Sequence, residues 1–302
     1  MKTAKIELPP KLIPVFAPER GAVRYRWAKG GRGSGKSHSF ALMAAVWGYV
    51  WSLRILCTRE LQISIKESFY AELCAAIESR PWLAAHYTIG ESYIRGKNGT
   101  EFIFRGLRHS MNAIKSMAQI DLCIVEEAED VPEVSWQKLE PTIRAPLSEI
   151  WVIWNPCLDG SPVDQRFVKN PPAHGEGATL NYSDNPWFPD VLEKQRQRDQ
   201  QRMDPATYAH VWEGEYLQNS EAQVFHGKIH IEEFDPAEDW DGPYYGGDFG
   251  FSQDPTAAVE LWIKGEDLYI HREAFKVGLE LDDTAEFVCK KIPGFDQEAS
   301  RW

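Results

Sequence analysis

The residues with the clearest chemistry form one short, glycine-rich stretch. They fit the pattern G-x-x-x-x-G-K-[ST], in which glycines let backbone N–H groups surround phosphate oxygens. Lys36 would reach the β- and γ-phosphates, and the Ser37 hydroxyl would hold Mg²⁺. The stretch reads Gly30-Gly31-Arg32-Gly33-Ser34-Gly35-Lys36-Ser37. It predicts that the ligand is a nucleoside triphosphate.

The flanking residues predict the elements that a phosphate-binding loop needs. Val23, Tyr25 and Trp27 alternate with other residues, which is typical of a strand. The run from Ser37 to Val46 is apolar and predicts a helix that begins at the loop. A helix N-terminus at this point favours anion binding. This context argues against a merely flexible glycine loop.

A second group of residues has the chemistry of nucleotide hydrolysis. The apolar run Leu122–Val125 predicts a buried strand, and Glu126 and Glu127 follow it directly. We expect Glu126 to bind Mg²⁺, usually through water, and Glu127 to polarise the attacking water as general base. Alone, the pair would be interpreted as the acidic start of a helix. The phosphate loop favours the catalytic interpretation.

Four further polar residues have roles that the sequence leaves open. Arg32, inside the loop, would stabilise transition-state charge as an arginine finger or form an ion pair with a nearby acid. Arg59 and Arg144 are other candidate fingers, although structural ion pairs are the favoured interpretation for each. Asn155 ends an apolar strand, where it would sense the γ-phosphate or begin a turn with Pro156.

Composition limits the class of protein. The chain has 302 residues, 43% of them hydrophobic, which is enough for one large domain or two ordinary ones. The net charge of −12 disfavours a nucleic-acid partner only weakly, because positive charge can be confined to one channel. The basic run from Lys194 to Arg202 is interpreted as a solvated helix face. Five scattered cysteines predict reduced thiols, and no apolar run is long enough to span a bilayer.

The order of predicted elements changes along the chain. Strands and helices alternate up to about Gly160, which predicts a mostly parallel sheet covered on both faces. An irregular segment and a polar helical stretch from Pro189 to Trp212 follow. Three closely spaced strands and one helix then predict a second domain. The predicted organisation is an ATPase domain at 1–220 that includes a linker subdomain at about 161–220, a linker at 221–242 and a partial domain at 243–302.

These motifs together resemble the large terminase subunit of tailed bacteriophages, in particular its PBSX-like group. That family is the ATPase that packages DNA into a procapsid. The matching segments are Gly30–Ser37 with its Arg32, Thr58-Arg59-Glu60 with Ser64–Ser68, Ile124–Ala128, Thr142–Arg144, Trp154–Pro156, Asp184–Trp187 and Trp212–Tyr216. The resemblance covers nearly the whole chain.

The resemblance implies an α/β fold in which a P-loop ATPase is followed by the first half of an RNase H-like nuclease domain. Asp248 matches the nuclease's first metal-binding acid, which would use Mg²⁺ or Mn²⁺. Asn155 falls in the family's coupling region. The resemblance therefore favours a γ-phosphate sensor over a turn residue as its role. The implied partners are double-stranded DNA, the portal protein, the small terminase subunit and further copies in a ring. The implied location is the cytoplasm of a bacterial host, with no membrane.

One departure concerns the nuclease. The family uses at least two more acids on later strands, whereas this sequence stops at Trp302, after the first helix of that domain. Three strands and one helix would leave an open edge and an uncovered apolar face. We therefore expect a truncated chain that lacks nuclease activity and retains the ATPase.

Two other functions stay open at this stage. The first is another P-loop enzyme, such as a helicase-like ATPase or a small-molecule kinase, with Asp248 as an ordinary hairpin acid. The second is an inactive prophage remnant that binds nucleotide or partner subunits without turnover.

Overall fold

The computed structural model of the chain describes residues 5–61, 68–108, 110, 114, 116–117, 119–217, 230, 232–250 and 254–295. The chain divides into two compact units, Met1–Val224 and Phe225–Trp302. None of the described helices is long and apolar enough to cross a bilayer. Part of one segment that carries the family resemblance, Ser64–Glu67, lies outside the described residues.

The first unit is built on a mostly parallel sheet, as predicted. Its strands are β1 (Tyr25–Lys29), β2 (Arg54–Arg59), β3 (Tyr87–Ile89), β4 (Ile94–Gly96), β5 (Glu101–Gly106), β6 (Leu122–Glu126), β7 (Glu149–Trp154) and β8 (Gly175–Thr179). Their order in the sheet is β3-β4-β5-β2-β6-β7-β1-β8. The strands from β5 to β8 in that order are parallel, whereas β3 and β4 pair antiparallel.

Helices flank this sheet on both faces. The α-helices are α1 (Ile13–Phe16), α2 (Lys36–Val50), α3 (Phe69–Glu78), α4 (Pro81–Ala84), α5 (Glu133–Leu139), α6 (Pro162–Asp164), α7 (Asp190–Arg202) and α8 (Pro205–Tyr208). Short 3₁₀ segments cover Pro10–Leu12, Ala128–Asp130 and Tyr182–Asp184, and π-helical turns cover Gln165–Lys169 and Ala209–Glu213. The predicted polar helix from Pro189 to Trp212 is therefore broken after α7, because Asp204 caps a new helix that has proline at its first position.

Two apolar clusters hold the helices to the sheet. One includes Phe40 and Leu42 of α2 with Trp151 of β7, and the other includes Trp136 of α5 with Val152 of β7. Strands β6 and β7 are buried along their whole length. This is expected of central parallel strands covered on both faces.

Strand β8 occupies part of a segment that the sequence predicted to be irregular. It pairs with β1, and Gly177 lies opposite Trp27. A Cβ atom at Gly177 would lie 1.9 Å from the Trp27 ring. Glycine is required at position 177 because the Trp27 indole covers this part of the strand. Glycine has no side chain that could give an alternating pattern, so the strand is not visible in the sequence.

A buried ion pair joins the strand before the glycine-rich loop to its neighbour in the sheet. The Arg26 Nε atom donates to Glu149 Oε2 at 2.7 Å, and both side chains are fully buried. Glu149 also accepts hydrogen bonds from Trp151 Nε1 at 2.8 Å and Gly21 N at 2.8 Å. These contacts satisfy the carboxylate and fix β1 beside β7.

The second unit is an antiparallel sheet of three described strands covered by one helix. Its elements are β9 (Asp241–Asp248), β10 (Pro255–Lys264), β11 (Asp267–Val277) and α9 (Leu281–Lys291), with strand order β11-β10-β9. These elements lie where the sequence predicts three strands and a helix. Ala258, Ala274, Val288 and Ile292 form the core. The RNase H-like identity of this unit stays a prediction.

Candidate active site

The glycine-rich loop joins the end of β1 to the start of α2. Gly30 has a φ of 143°, and a Cβ atom there would lie 1.7 Å from the Leu180 carbonyl oxygen. Gly35 has a φ of 76° and directly precedes the helix. Side chains are disfavoured at both positions, so the glycines are required by the shape of the loop.

Lys36 is buried beneath this loop. Its Nζ atom donates to the carbonyl oxygens of Gly30 at 2.8 Å and Gly31 at 3.0 Å, and to Ser34 Oγ at 2.9 Å. Burial lowers the pKa of Lys36 to about 7, and the nearby Glu126 carboxylate opposes this shift. The ammonium group holds the loop together through neutral acceptors.

The two predicted acids lie at the carboxyl end of β6. Glu126 is its last residue, and burial raises the pKa of this carboxyl, while Arg59 and Ser68 oppose the shift. Glu127 follows with φ 49° and ψ 48°, a left-handed conformation that is uncommon outside glycine. The strand ends at this turn, so the side chains differ in environment: Glu126 is 10% exposed and Glu127 is 48% exposed.

Arg59 connects these acids to the neighbouring strand β2. Its Nη1 atom lies 3.7 Å from Glu126 Oε2, and its Nη2 atom is paired with Glu127 Oε2. Ser68 Oγ accepts from Arg59 at 2.9 Å and donates to Glu126 at 3.3 Å. The guanidinium is therefore an ion-pair partner of both acids, the role favoured for Arg59 by the sequence.

Sheet order brings Asn155 into the same place. Strand β7 lies between β1 and β6, so the residue that follows it lies between the loop and the acids. A cavity of about 390 Å³ is lined by Arg32, Ser37, Glu126, Glu127 and Asn155, among other residues. Parallel strands end at one edge of the sheet, and this edge unites most of the predicted site residues.

A larger cavity of about 860 Å³ extends along the outside of the loop. It is lined by loop residues from Gly31 to Ser37 and also by Glu127 and Asn155. Its apolar lining includes Pro9, Leu42, Trp187, Pro189 and Leu192. The sequence did not single out Pro9, Trp187 or Leu192 as functional. The available signal was Trp187 within a resemblance segment, an aromatic residue that is 51% exposed here.

Segments of the predicted linker subdomain contact the loop directly. Asn185 Nδ2 donates to the Gly33 carbonyl oxygen at 2.8 Å. Arg32 N donates to the Val211 carbonyl oxygen at 2.9 Å. A Cβ atom at Gly31 would lie 2.2 Å from the Trp212 carbonyl oxygen. The loop is thus held between its own helix and residues about 150 to 180 positions later in the chain.

Comparison with protein families assigns the first unit. The family described as phage terminase large subunit matches residues 23–215. The chain belongs to this family. The predicted resemblance is confirmed, and with it the fold of a DNA-packaging ATPase. Comparison with curated protein sequences found no significant match.

Solved terminase structures have the same fold at low identity. The large terminase of a thermophilic bacteriophage has a TM-score of 0.59 and 14% identity, over 96% of this chain and 74% of that chain. The large terminase of bacteriophage HK97 has a TM-score of 0.50 and 15% identity, over 97% and 67%. A mutant of the large terminase ATPase domain of Thermus phage P74-26 has a TM-score of 0.50 and 13% identity, over 68% and 93%.

The oxygen donors at this candidate site suit a magnesium ion. Ser37 and Glu126 line a shared cavity, and both present oxygen atoms, which Mg²⁺ prefers. Magnesium sites in such enzymes commonly use one or two protein ligands together with substrate phosphates and water. The residues present therefore fit the predicted ion.

One candidate residue of the first unit lies away from this site. Arg144 lines a separate cavity of about 480 Å³ with Arg24 and Ser148, close to the amino ends of β1 and β7. The loop follows the carboxyl end of β1, so Arg144 is at the other edge of the sheet and is not a finger for the site of its own chain.

Asp248 ends β9 in the second unit and is exposed. No group of three or more His, Cys, Asp or Glu side chains among the described residues is arranged to hold a metal. Glu260, on the opposite face of the strands by register, is bound to His271 Nδ1 at 2.6 Å. A metal role for Asp248 stays a prediction.

Proposed function

We propose that this chain hydrolyses ATP with Mg²⁺ and that hydrolysis drives double-stranded DNA into a viral procapsid. The observation that supports this most is the convergence at one sheet edge. The carboxyl ends of β1, β7 and β6 deliver the phosphate loop, Asn155 and the acid pair to a common cavity. P-loop ATPases require this set of groups.

The phosphates would bind by exchange of partners within the loop. Lys36 now donates to loop carbonyls, and a triphosphate would offer it charged oxygens instead. Charged acceptors bind an ammonium more strongly than carbonyl groups do. They would also favour the protonated form of Lys36, whose pKa burial has lowered. Nucleotide binding would therefore open the contacts that Lys36 makes within the loop.

Ser37 and Glu126 would hold the magnesium ion through oxygen atoms. The bound ion would neutralise charge on the β- and γ-phosphates. Arg32, which lines both cavities beside the loop, would stabilise charge on the γ-phosphate from the other side. Asn155 would contact the same phosphate from the end of the central strand.

Glu127 would accept the proton of the attacking water. For this it must leave Arg59, because a carboxylate paired with a guanidinium is a weak base. In the structure, the Glu127 carboxylate is paired with the Arg59 guanidinium. A change at the γ-phosphate that moves Arg59, or that alters the left-handed turn at Glu127, would release the Glu127 carboxylate.

The apolar part of the larger cavity would take the nucleotide base. Pro9, Trp187 and Leu192 lie along the same cavity as the loop. The backbone N–H of Trp187 donates to Asn185 Oδ1 at 3.0 Å, and the Asn185 amide binds the loop. The indole is thus tied to the phosphate site through one residue, and aromatic faces stack well on bases.

The wider assembly follows from the terminase family. The chain would act in the cytoplasm of a bacterial host, on a portal protein, in a ring of copies supplied with DNA by a small terminase subunit. Asp248 would contribute to a nuclease site with Mg²⁺ or Mn²⁺ only together with further acids.

Turnover of ATP by the purified chain tests this function. We expect Mg²⁺-dependent hydrolysis that is stimulated by procapsids carrying the portal and abolished by Lys36→Ala. Stimulation by single-stranded DNA or by a small acceptor would instead indicate a helicase-like enzyme or a kinase. Nucleotide binding with no turnover under any of these conditions would identify an inactive remnant.

A further inference from the structure

Helix α7 has two chemically different sides. At about 100° per residue, Leu192, Arg196 and Asp199 fall within one arc of roughly 60°. These residues face the protein: Leu192 lines the larger cavity, and Asp199 accepts a hydrogen bond from Trp212 Nε1 at 3.2 Å. Arg196 lies 4.6 Å from the Tyr182 ring centroid and pairs with Glu193 at 2.7 Å. The polar side chains on the inner side thus have their partners within the first unit.

The outer side carries a line of three cations. Lys194, Arg198 and Arg202 are spaced four residues apart and fall within an arc of about 80° on the helix surface. All three are exposed. Among the described residues, no hydrogen bond or ion pair involves any of their side chains. We call these three residues the α7 cationic stripe.

The stripe is a local excess of positive charge in an acidic chain. The sequence as a whole has 45 acidic and 33 basic residues. Asp190 is the one acid of the helix on this side, and it lies in the first turn, where the helix dipole favours negative charge. The remaining neighbours on this face include Gln197, Gln201 and the 71% exposed Val191.

We propose that the α7 cationic stripe binds the phosphate backbone of double-stranded DNA. Successive cations are separated by about 6 Å along the helix axis, and phosphates of one strand recur every ~3.4 Å along a duplex. Each step therefore spans about two phosphates, within reach of flexible Lys and Arg side chains. Such contacts attract and position the duplex without reading its sequence.

The stripe would link the DNA to the nucleotide site. Helix α7 begins beside the larger cavity, which Pro189 and Leu192 line, and its cations continue along the outer side. A shift of this helix on nucleotide binding would move the bound backbone. The identity of the ligand as duplex DNA rests on the proposed packaging function.

Binding of the full chain to a labelled 30-base-pair duplex at several NaCl concentrations tests the inference. The variant is Lys194→Gln/Arg198→Gln/Arg202→Gln, because glutamine preserves helix propensity. The control is Lys97→Gln/Lys138→Gln/Arg144→Gln, which removes the same charge from exposed cations elsewhere in the first unit. Two duplexes of unrelated sequence are compared, and thermal melting verifies that each variant is folded.

For the stripe variant, the plot of log affinity against log salt should become shallower by about 2.7, since each phosphate contact contributes about 0.9. The control variant should keep the wild-type slope, and both duplexes should behave alike. A wild-type slope in the stripe variant, or a loss confined to one duplex, would overturn the inference. Basal ATP turnover, measured in parallel, separates this result from failure of the proposed ATPase.

Discussion

The two units of the chain place acidic residues at strand ends in different ways. In the first unit, Glu126 and Glu127 lie beside a cation, a hydroxyl and an amide that come from other elements. In the second unit, Asp248 ends β9, and no hydrogen bond or ion pair joins its side chain to another described residue. Both units thus have acidic residues at the end of a strand. In the first unit, polar groups from other elements lie beside them.

Strand direction explains much of this difference. Parallel strands all end at one edge, so residues that follow β1, β6 and β7 meet without any special arrangement. In the antiparallel sheet of the second unit, Asp248 at the end of β9 is paired with Ala257 near the start of β10. Neighbouring strands end at opposite edges there, and additional elements are needed to bring more acids to Asp248.

The largest expected effect concerns the buried acidic residue of each sheet and the partner of its side chain. Arg26→Met would leave Glu149 buried without its cation, and the free energy of unfolding should fall by about 3–5 kcal/mol. In the second unit, His271→Gln alters the partner of Glu260, but His271 is 18% exposed and solvent reduces the effect to under ~2 kcal/mol. Urea denaturation measures both. Equal losses would remove the contrast between the two cores.

The next effect concerns the acids at the strand ends of the two units, Glu127 and Asp248. Glu127→Gln should reduce ATP turnover at least ~10²-fold, because the amide cannot accept the proton of the attacking water. Asp248→Asn is the matched change in the second unit, and turnover should stay within about two-fold of wild type. Steady-state hydrolysis with saturating Mg²⁺ and ATP gives both values. A Glu127→Gln enzyme within a few-fold of wild type would rule out the assignment of the base.

A smaller effect is expected at the base-binding end of the larger cavity. Trp187→Ala should weaken ATP binding about 10-fold, since stacking on an aromatic ring contributes about 1–3 kcal/mol. Inorganic tripolyphosphate lacks a base, so its affinity should not change. Trp51→Ala, at a 38% exposed tryptophan just after α2, is the control. Calorimetry measures the affinity for both ligands. Equal weakening of ATP and tripolyphosphate binding would indicate that Trp187 supports the loop and does not bind the base.

The sequence allowed the prediction of groups that are defined by neighbours along the chain. The phosphate loop, the acid pair and the strand before Asn155 each have a local pattern, and the alternation of strands and helices indicates the parallel sheet. The structure confirms the sheet. It brings the loop, the acids and Asn155 together because of strand order, which the sequence pattern only suggests.

Contacts between distant segments could not be predicted in this way. Gly177 lies beneath Trp27, and the glycines of β8 carry no strand signal of their own. Arg26 is fully buried although its type favours the surface, because Glu149 supplies the opposite charge from another strand. Trp187 reaches the cavity through a turn held by Asn185. Each depends on a partner more than 100 residues away or on a local turn with no recognised pattern.

Per pH unit, the smallest expected effect is a pH dependence that originates at Lys36. Its pKa is lowered to about 7 in the folded protein, against an ordinary value of 10.5. Between these values the unfolded chain binds more protons, so the free energy of unfolding should rise with pH across this window. The contribution is at most about 1.4 kcal/mol per pH unit for one proton.

Lys36→Met isolates this contribution, because methionine keeps the apolar stem and cannot titrate. Without nucleotide, the stability of the variant relative to wild type should fall steadily from about pH 7 to about pH 9.5. Other groups that titrate in the same range are common to both proteins and cancel in the difference. Parallel stability curves would show that the ammonium is already well solvated within the loop. In that case, loop opening by the phosphates would no longer be coupled to proton uptake by the lysine.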